Sequence, residues 1–121
     1  GTGKQKMELV HIKDVYNCVL TILKNSKIKG EVFNVGSGIP TEVNEIVEIV
    51  SKLLGKHDDI EILHDKDDTL KSSGYWINNS KLRSLGWEPR VSLTKGLAKT
   101  VNFFKIKVPK KNVKMLNENE P

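Results

Sequence analysis

The 121-residue chain, with 37% hydrophobic and 29% charged residues, has a composition typical of one soluble domain with a modest core. No apolar run approaches the roughly 20 residues that span a bilayer, and no signal-like stretch follows the N-terminus, so we expect a cytoplasmic protein without a membrane partner. Of the net charge of +5, residues 105–121 contribute +3 through five lysines and two glutamates, which leaves only +2 on the body. This distribution, without interleaved aromatic residues, argues against a nucleic-acid-binding face.

The first part of the chain predicts a strand, a helix and a second strand. Alternating residues over 7–12 indicate the first strand, and Asp14 is placed to cap the helix that follows. The apolar stripe of this helix includes Cys18, the single cysteine, which we expect to be a buried hydrophobe because no His or Asn pattern supports a catalytic thiol. Residues 31–35 then predict a buried strand. This order is typical of a crossover between parallel strands.

A glycine turn, Gly36-Ser37-Gly38, follows the second predicted strand. Free amides in such a turn, beside a helix N-terminus, can hold an anion or a sugar hydroxyl. A tight turn that binds nothing explains the same pattern, and the residues alone favour that simpler interpretation. Thr41 is predicted to cap the next helix, whose apolar residues recur at helical spacing over 43–54 and which ends at Gly55.

The residues after Gly55 predict a short strand over 60–63 and a polar loop over 64–69. The loop combines His64 with three aspartates, but it lacks the Gly and Glu positions of a calcium loop, and one His is not a zinc set. We therefore interpret it as a solvated loop and assign no metal ligand.

The last part of the chain predicts two helices and a tail. Asn78 or Asn79 caps the first helix, and Trp87, between a helix end and a proline, is expected to anchor the core rather than to stack on a ligand. Ser92 caps the second helix, which is expected to end at Phe104. The Lys, Asn and Glu residues of 105–121 predict a disordered tail.

Three ordered blocks of the sequence resemble the NAD-dependent epimerase/dehydratase family, the extended short-chain dehydrogenases that act on nucleotide sugars. The blocks are GTGKQKMELVHIKDV at the N-terminus, GEVFNVGSG from Gly30, and NSKLRSLGWEP from Asn79 with VSLTKGLAKTV from Val91. The resemblance covers residues 1–104 and is to the C-terminal portion of such enzymes. It does not choose between UDP-glucose 4-epimerase-like isomerases and 4,6-dehydratase-like lyases.

The resemblance implies that the NAD-binding and catalytic machinery lies elsewhere. Family members bind NAD through a glycine-rich turn in an N-terminal Rossmann domain and catalyse with a Tyr-x-x-x-Lys pair. The turn at Gly36 lacks the third glycine. Tyr16 and Tyr75 are followed four residues later by Leu20 and Asn79 instead of lysine. We therefore assign no catalytic or cofactor-binding residue here, and expect NAD to bind the parent enzyme and not this chain alone.

The resemblance also suggests three substrate contacts, at Gln5, Asn34 and Lys71. Gln5 lies in the family's Gly-x-Gly-x-Gln-x-Arg segment, but Met7 replaces the arginine and offers no donor to a diphosphate. Asn34 matches an asparagine that contacts the diphosphate in dehydratase members, although an amide that ties down the glycine turn is an equally good interpretation. Lys71 is the one basic residue over 67–73, and a solvated surface lysine is the simpler interpretation of it.

We accordingly predict an α/β fold, with a partial, mainly parallel sheet and flanking helices, over residues 1–104, followed by a basic tail over 105–121. The expected partners are a UDP- or dTDP-linked sugar and the missing N-terminal Rossmann domain, and the full-length enzyme is expected to be a homodimer. An alternative is a non-catalytic interaction module that uses the lysine-rich tail. A nucleic-acid binder, recognised by steep salt dependence, ranks third.

Overall fold

A computed structural model describes residues 1–64 and 76–107. Within these ranges the chain forms two strands, four α-helices and a 3-10 turn. They are β1 (Lys6–Glu8), α1 (Ile12–Leu23), β2 (Pro40–Glu42), α2 (Val43–Leu54), the 3-10 turn His57–Asp59, α3 (Ser80–Arg83) and α4 (Leu93–Lys107). The predicted α/β class is confirmed.

The two strands pair with each other, and they do so antiparallel. Met7 lies opposite Thr41, with Lys6 opposite Glu42 and Glu8 opposite Pro40. The expectation of mainly parallel strands is therefore wrong for the described residues. Residues 31–35, predicted as a central strand, are not assigned as a strand, and those at 60–63 likewise have no regular structure. A strand requires a hydrogen-bonded neighbour, and neither segment finds one among the described residues.

Helix α1 begins one turn earlier than the position of Asp14 implied. Its N-cap is His11, whose Nδ1 accepts a hydrogen bond from the Lys13 amide at 3.1 Å. Asp14 lies inside the first turn, is 1% exposed, and bonds across the fold instead. The predicted cap was wrong because a carboxylate in the first turn also suits the helix dipole, and the two roles look alike in sequence.

Helix α2 is capped by backbone carbonyls of the N-terminal segment, and not by Thr41. The Val43 amide donates to the Gln5 carbonyl at 3.1 Å, and the Asn44 amide donates to the Gly3 carbonyl at 3.0 Å. Thr41 is a buried residue of β2. Gly3 has φ +73, and a Cβ there would overlap the Asn44 amide group, so this close approach requires glycine. The predicted end at Gly55, with φ +67, is confirmed.

The buried apolar core is small. Among the described residues, three hydrophobic side chains are buried: Cys18, Leu82 and Trp87. Phe33 and Val35 pack against them from the extended segment, together with Ile22 and Leu85. The predictions that Cys18 is buried and that Trp87 anchors the core are confirmed.

The two C-terminal helices, α3 and α4, begin at their predicted caps. The Ser80 amide donates to Asn78 Oδ1 at 3.0 Å, and the Lys95 amide donates to Ser92 Oγ at 3.4 Å. Helix α4 packs against α2 and continues to Lys107, three residues beyond the predicted end at Phe104. Lys105 Nζ donates to the Leu53 carbonyl at 3.1 Å. The first lysine of the predicted tail therefore belongs to the folded part.

Two features of the described residues bear on function classes. Among the described residues, none of the helices combines the length and apolar character that crossing a membrane requires. Over the same residues, no three His, Cys, Asp or Glu side chains group in a way that would hold a metal ion. His64 lies at the edge of the described range, and the remainder of the predicted polar loop lies outside it.

Candidate functional site

The candidate site is a corner where three separate segments meet. They are the N-terminal segment with β1, the extended segment with the glycine turn, and residues 76–79, which lead into α3. Glu8 bridges all three: its Oε1 accepts from the Gly38 amide and its Oε2 accepts from the Ile77 amide, each at 2.6 Å. The structure thus brings together the segments that carry Gln5 and Asn34.

Gln5 is held by its backbone while its side chain remains partly accessible. Its carbonyl accepts from the first amide of α2, at Val43, and the residue is half-buried. The side-chain amide lies near Gly1, 3.4 Å from the position that a Cβ would take there. The anchored backbone fixes where this amide can reach, which suits a residue that contacts a ligand.

Asn34 is exposed on the extended segment. Its Nδ2 lies 3.4 Å from the Asn78 carbonyl, a long hydrogen bond to the segment that leads into α3. The amide therefore does not tie down its own glycine turn, which was the alternative interpretation. The third predicted contact, Lys71, lies outside the described residues.

The glycine turn is secured by side chains that sequence reasoning missed. Besides the bond from Gly38 to Glu8, the Gly36 carbonyl accepts from Asn79 Nδ2 at 2.8 Å, and Asn79 is itself buried. Arg83 Nε donates to Asn79 Oδ1 at 2.9 Å. The Gly38 amide already binds a carboxylate, so the turn does not offer it to a further anion. In the sequence, Glu8 stands out only as an acidic residue of the predicted first strand, and the alternation along that strand does not indicate its bonds.

A second carboxylate, which unlike that of Glu8 is buried, organises the neighbouring loop. Asp14 Oδ1 accepts from the Arg90 amide at 3.1 Å and Oδ2 from the Val91 amide at 3.0 Å. The Asp14 carbonyl also accepts from Trp87 Nε1 at 3.0 Å. These bonds place Arg90 beside the glycine turn. Arg90 and Ser37 both line a concavity of about 250 Å³ there. Arg90 was not among the predicted contacts.

The thiol of Cys18 is a possible nucleophile, but its position does not suit catalysis. It is 2% exposed in the core, and burial raises the pKa of its thiol. A raised pKa keeps the thiol protonated and unreactive. This agrees with its predicted structural role.

Two exposed apolar features lie outside the corner, one on α1 and one on the extended segment. Four large side chains of α1 form an exposed row at spacings of 4, 3 and 4, which we call the outer stripe: Ile12, Tyr16, Val19 and Leu23. Val32, on the extended segment, is 82% exposed. Among the described residues, the backbone of 31–36 makes no hydrogen bond to other backbone. Its Val32 carbonyl accepts from Lys81 Nζ instead, at 3.0 Å.

Comparisons with known proteins give one consistent result. The NAD dependent epimerase/dehydratase family profile matches residues 1–36. UDP-glucuronate 4-epimerase from Thermodesulfobacterium geofontis is 34% identical over 107 residues, covering 87% of this chain and 32% of that protein. The match continues beyond the profile, through the extended segment and the last helices.

Solved structures give the same answer. UDP-glucose 4-epimerase from Thermotoga maritima, determined with UDP-glucose, superposes with TM-score 0.77 at 29% identity, over 90% of this chain and 34% of that chain. dTDP-glucose 4,6-dehydratase from Bacillus anthracis, determined with NAD, gives TM-score 0.71 at 29% identity, over 88% and 33%. The resemblance found in the sequence is confirmed. The chain belongs to the NAD-dependent epimerase/dehydratase family and spans about a third of the length of the relatives it matches.

Proposed function

We propose that this chain is the C-terminal, substrate-side portion of an NAD-dependent enzyme that epimerises or dehydrates a UDP- or dTDP-linked sugar. The observation that carries the proposal is the match over 87% of this chain to only 32% of a UDP-glucuronate 4-epimerase. In the parent enzyme an N-terminal Rossmann domain supplies NAD and the Tyr-x-x-x-Lys pair, and the full-length protein is a cytoplasmic homodimer.

Two exposed apolar features of the chain support this division. An extended segment with an unpaired edge is a template for a further strand, and a contiguous exposed apolar row marks a surface that another part of the protein covers. Val32 and the outer stripe provide both features. We propose that the Rossmann portion covers them, so the isolated chain self-associates.

The concavity of about 250 Å³ beside the glycine turn is lined by Ser37 and Arg90, but neither Gln5 nor Asn34 lines it. The turn does not fit the diphosphate of NAD, because its Gly38 amide binds Glu8 and an added anion would meet that carboxylate. We propose that Gln5, Asn34 and Lys71 contact the nucleotide sugar, that NAD is held elsewhere, and that this chain alone is inactive.

The test is a fusion of the N-terminal two-thirds of the T. geofontis UDP-glucuronate 4-epimerase ahead of Gly1. With NAD added, we expect conversion of a UDP-linked sugar or dehydration of dTDP-glucose, and none from either portion alone. Asn34→Ala in the fusion should raise KM at least tenfold, while Asn102→Ala, an exposed position on α4, should leave it unchanged. A folded fusion that binds NAD but neither binds nor converts any sugar nucleotide would contradict the proposal.

The interaction-module alternative makes a different prediction. It requires the lysine-rich tail, so removal of residues 108–121, which leaves α4 complete, would abolish partner capture. Under our proposal the same truncation leaves the turnover of the fusion within twofold of the intact value.

A further inference from the structure

Among the residues that the structure describes, the carboxylate of Glu8 is the one side-chain group of the corner that joins all three of its segments. It lies at the end of β1, and its two oxygens accept hydrogen bonds from amides that lie 30 and 69 residues further along the chain. Bonds from amides to a charged acceptor are about twice as strong as neutral ones. Glu8 therefore holds the glycine turn and residues 76–79 against β1.

The glycine turn is shaped to receive this carboxylate. A Cβ at Gly36 would overlap Glu8 Oε1 and lie 3.0 Å from the Ile77 Cβ. Gly36 has no positive φ, so the requirement for glycine here comes from space and not from backbone conformation. On its other side, the turn is held by the Asn79 bond to the Gly36 carbonyl. The carboxylate thus occupies a close-fitting position between two segments.

We infer that Glu8 is a positioning residue of the substrate site: it sets the spacing between the segments that carry Gln5 and Asn34 and residues 76–79, which lead into α3. The effect of Glu8 on substrate binding rests on the proposed function, whereas its hydrogen bonds are independent of that proposal. Glu8 does not touch the substrate. Its contribution is to keep the side-chain amide of Asn34 and that of Gln5 at a constant separation without a ligand, so that binding does not have to order them.

The bonds can be tested on the 121-residue chain without any nucleotide, by following the amide proton resonances of Gly38 and Ile77. In Glu8→Ala both resonances should move upfield and exchange at least tenfold faster. Glu8→Gln retains one acceptor oxygen and should lose one of the two bonds. Acetate added to Glu8→Ala should restore both resonances, because it supplies the missing carboxylate. The matched control is Glu45→Gln, an exposed glutamate of α2, which should change neither resonance.

The consequence for binding is tested in the fusion described above. We expect Glu8→Gln to raise KM for the sugar nucleotide at least tenfold with kcat within twofold, a split that a loss of folded protein would not produce. Gly36→Ala, which displaces the same carboxylate from the other side, should give the same split. The inference is overturned if Gly38 and Ile77 are unaffected in Glu8→Ala, or if KM is unchanged in both variants. A fusion without turnover would count against the proposed function, and the resonances of the isolated chain would still decide whether Glu8 makes the bonds.

Discussion

The two faces of α1 differ in kind. The inward face carries Asp14 and Cys18, both almost completely buried, and every polar atom of Asp14 named above has a partner in the loop 87–91. The opposite face carries the outer stripe, whose Leu23 is 74% exposed. A helix that is apolar on two faces is typical of an element covered on both sides. This chain therefore covers one face of α1 with its own core and leaves the opposite face apolar and exposed.

The two faces of α1 should differ most in how much stability is lost when a leucine is replaced by alanine, either in the core beside the inward face or on the outer stripe. Leu82 is 0% exposed against Cys18 and Trp87, so Leu82→Ala should lower the free energy of unfolding by about 2–5 kcal/mol through lost transfer energy and a cavity. Leu23→Ala, on the outer stripe, should change it by less than about 0.5 kcal/mol. Urea denaturation followed by Trp fluorescence measures both. Equal losses would show that the stripe is part of the core of the isolated chain.

A smaller effect is expected where the buried face bonds to the loop. Asp14→Asn retains the shape of the side chain but turns an NH2 group toward a backbone amide, leaving a donor at Arg90 or Val91 unsatisfied. The expected cost is about 1–3 kcal/mol of the free energy of unfolding. Asp58→Asn, at an exposed position, is the matched control and should change it by less than about 0.5 kcal/mol. Equal values for the two variants would mean that the Asp14 bonds contribute nothing net.

The outer face should affect association more than stability. Val19→Lys places a charge in the middle of the outer stripe, so the isolated chain should dissociate to monomers at concentrations where the unsubstituted chain associates. The free energy of unfolding should change by less than about 0.5 kcal/mol. Sedimentation velocity over a concentration series measures the change, with Lys24→Gln, at the polar end of the helix, as control. Identical association of both variants would show that the stripe is not the contacting surface.

The contrast between the faces also explains how much could be predicted from the sequence. Helical periodicity is a local signal, and it gave α1, α2 and α4 with the correct ends at Gly55 and Ser92. The caps failed where tertiary contacts competed. Gln5 and Gly3 carbonyls replaced Thr41 at the start of α2, and Asp14 turned away to the loop. Such partners lie 38 to 77 residues away, so no pattern of neighbouring residues indicates them.

The candidate site was only partly predictable for the same reason. Family resemblance predicted Gln5 and Asn34 as substrate contacts, which stays a prediction, and the structure brings the segments that carry them together at Glu8. The residues that assemble the corner, Glu8 and Asn79, act through backbone groups of distant segments. Their identity follows from where a carboxylate or amide can reach in the folded chain. The prediction of a strand over 31–35 was wrong, because residues with high strand propensity form a strand only when a neighbouring strand is present to pair with them.

The smallest expected effect concerns the thiol on the inward face of α1. Burial raises the pKa of Cys18 in the folded chain, so above the ordinary cysteine value of roughly 8.5 the unfolded chain releases its proton first. Stability linked to the protonated thiol is therefore complete below that pH and declines as the pH rises through the folded pKa. We expect the urea midpoint of the chain to fall as the pH rises above the ordinary cysteine pKa, and we expect that decline to be shallower in Cys18→Ala, which has no thiol to ionise. We predict this difference because Cys18 is buried on the inward face, where desolvation favours the neutral thiol. If the two midpoints follow the same pH curve, Cys18 is as accessible to water as the outer stripe, and the asymmetry between the faces of α1 does not extend to its centre.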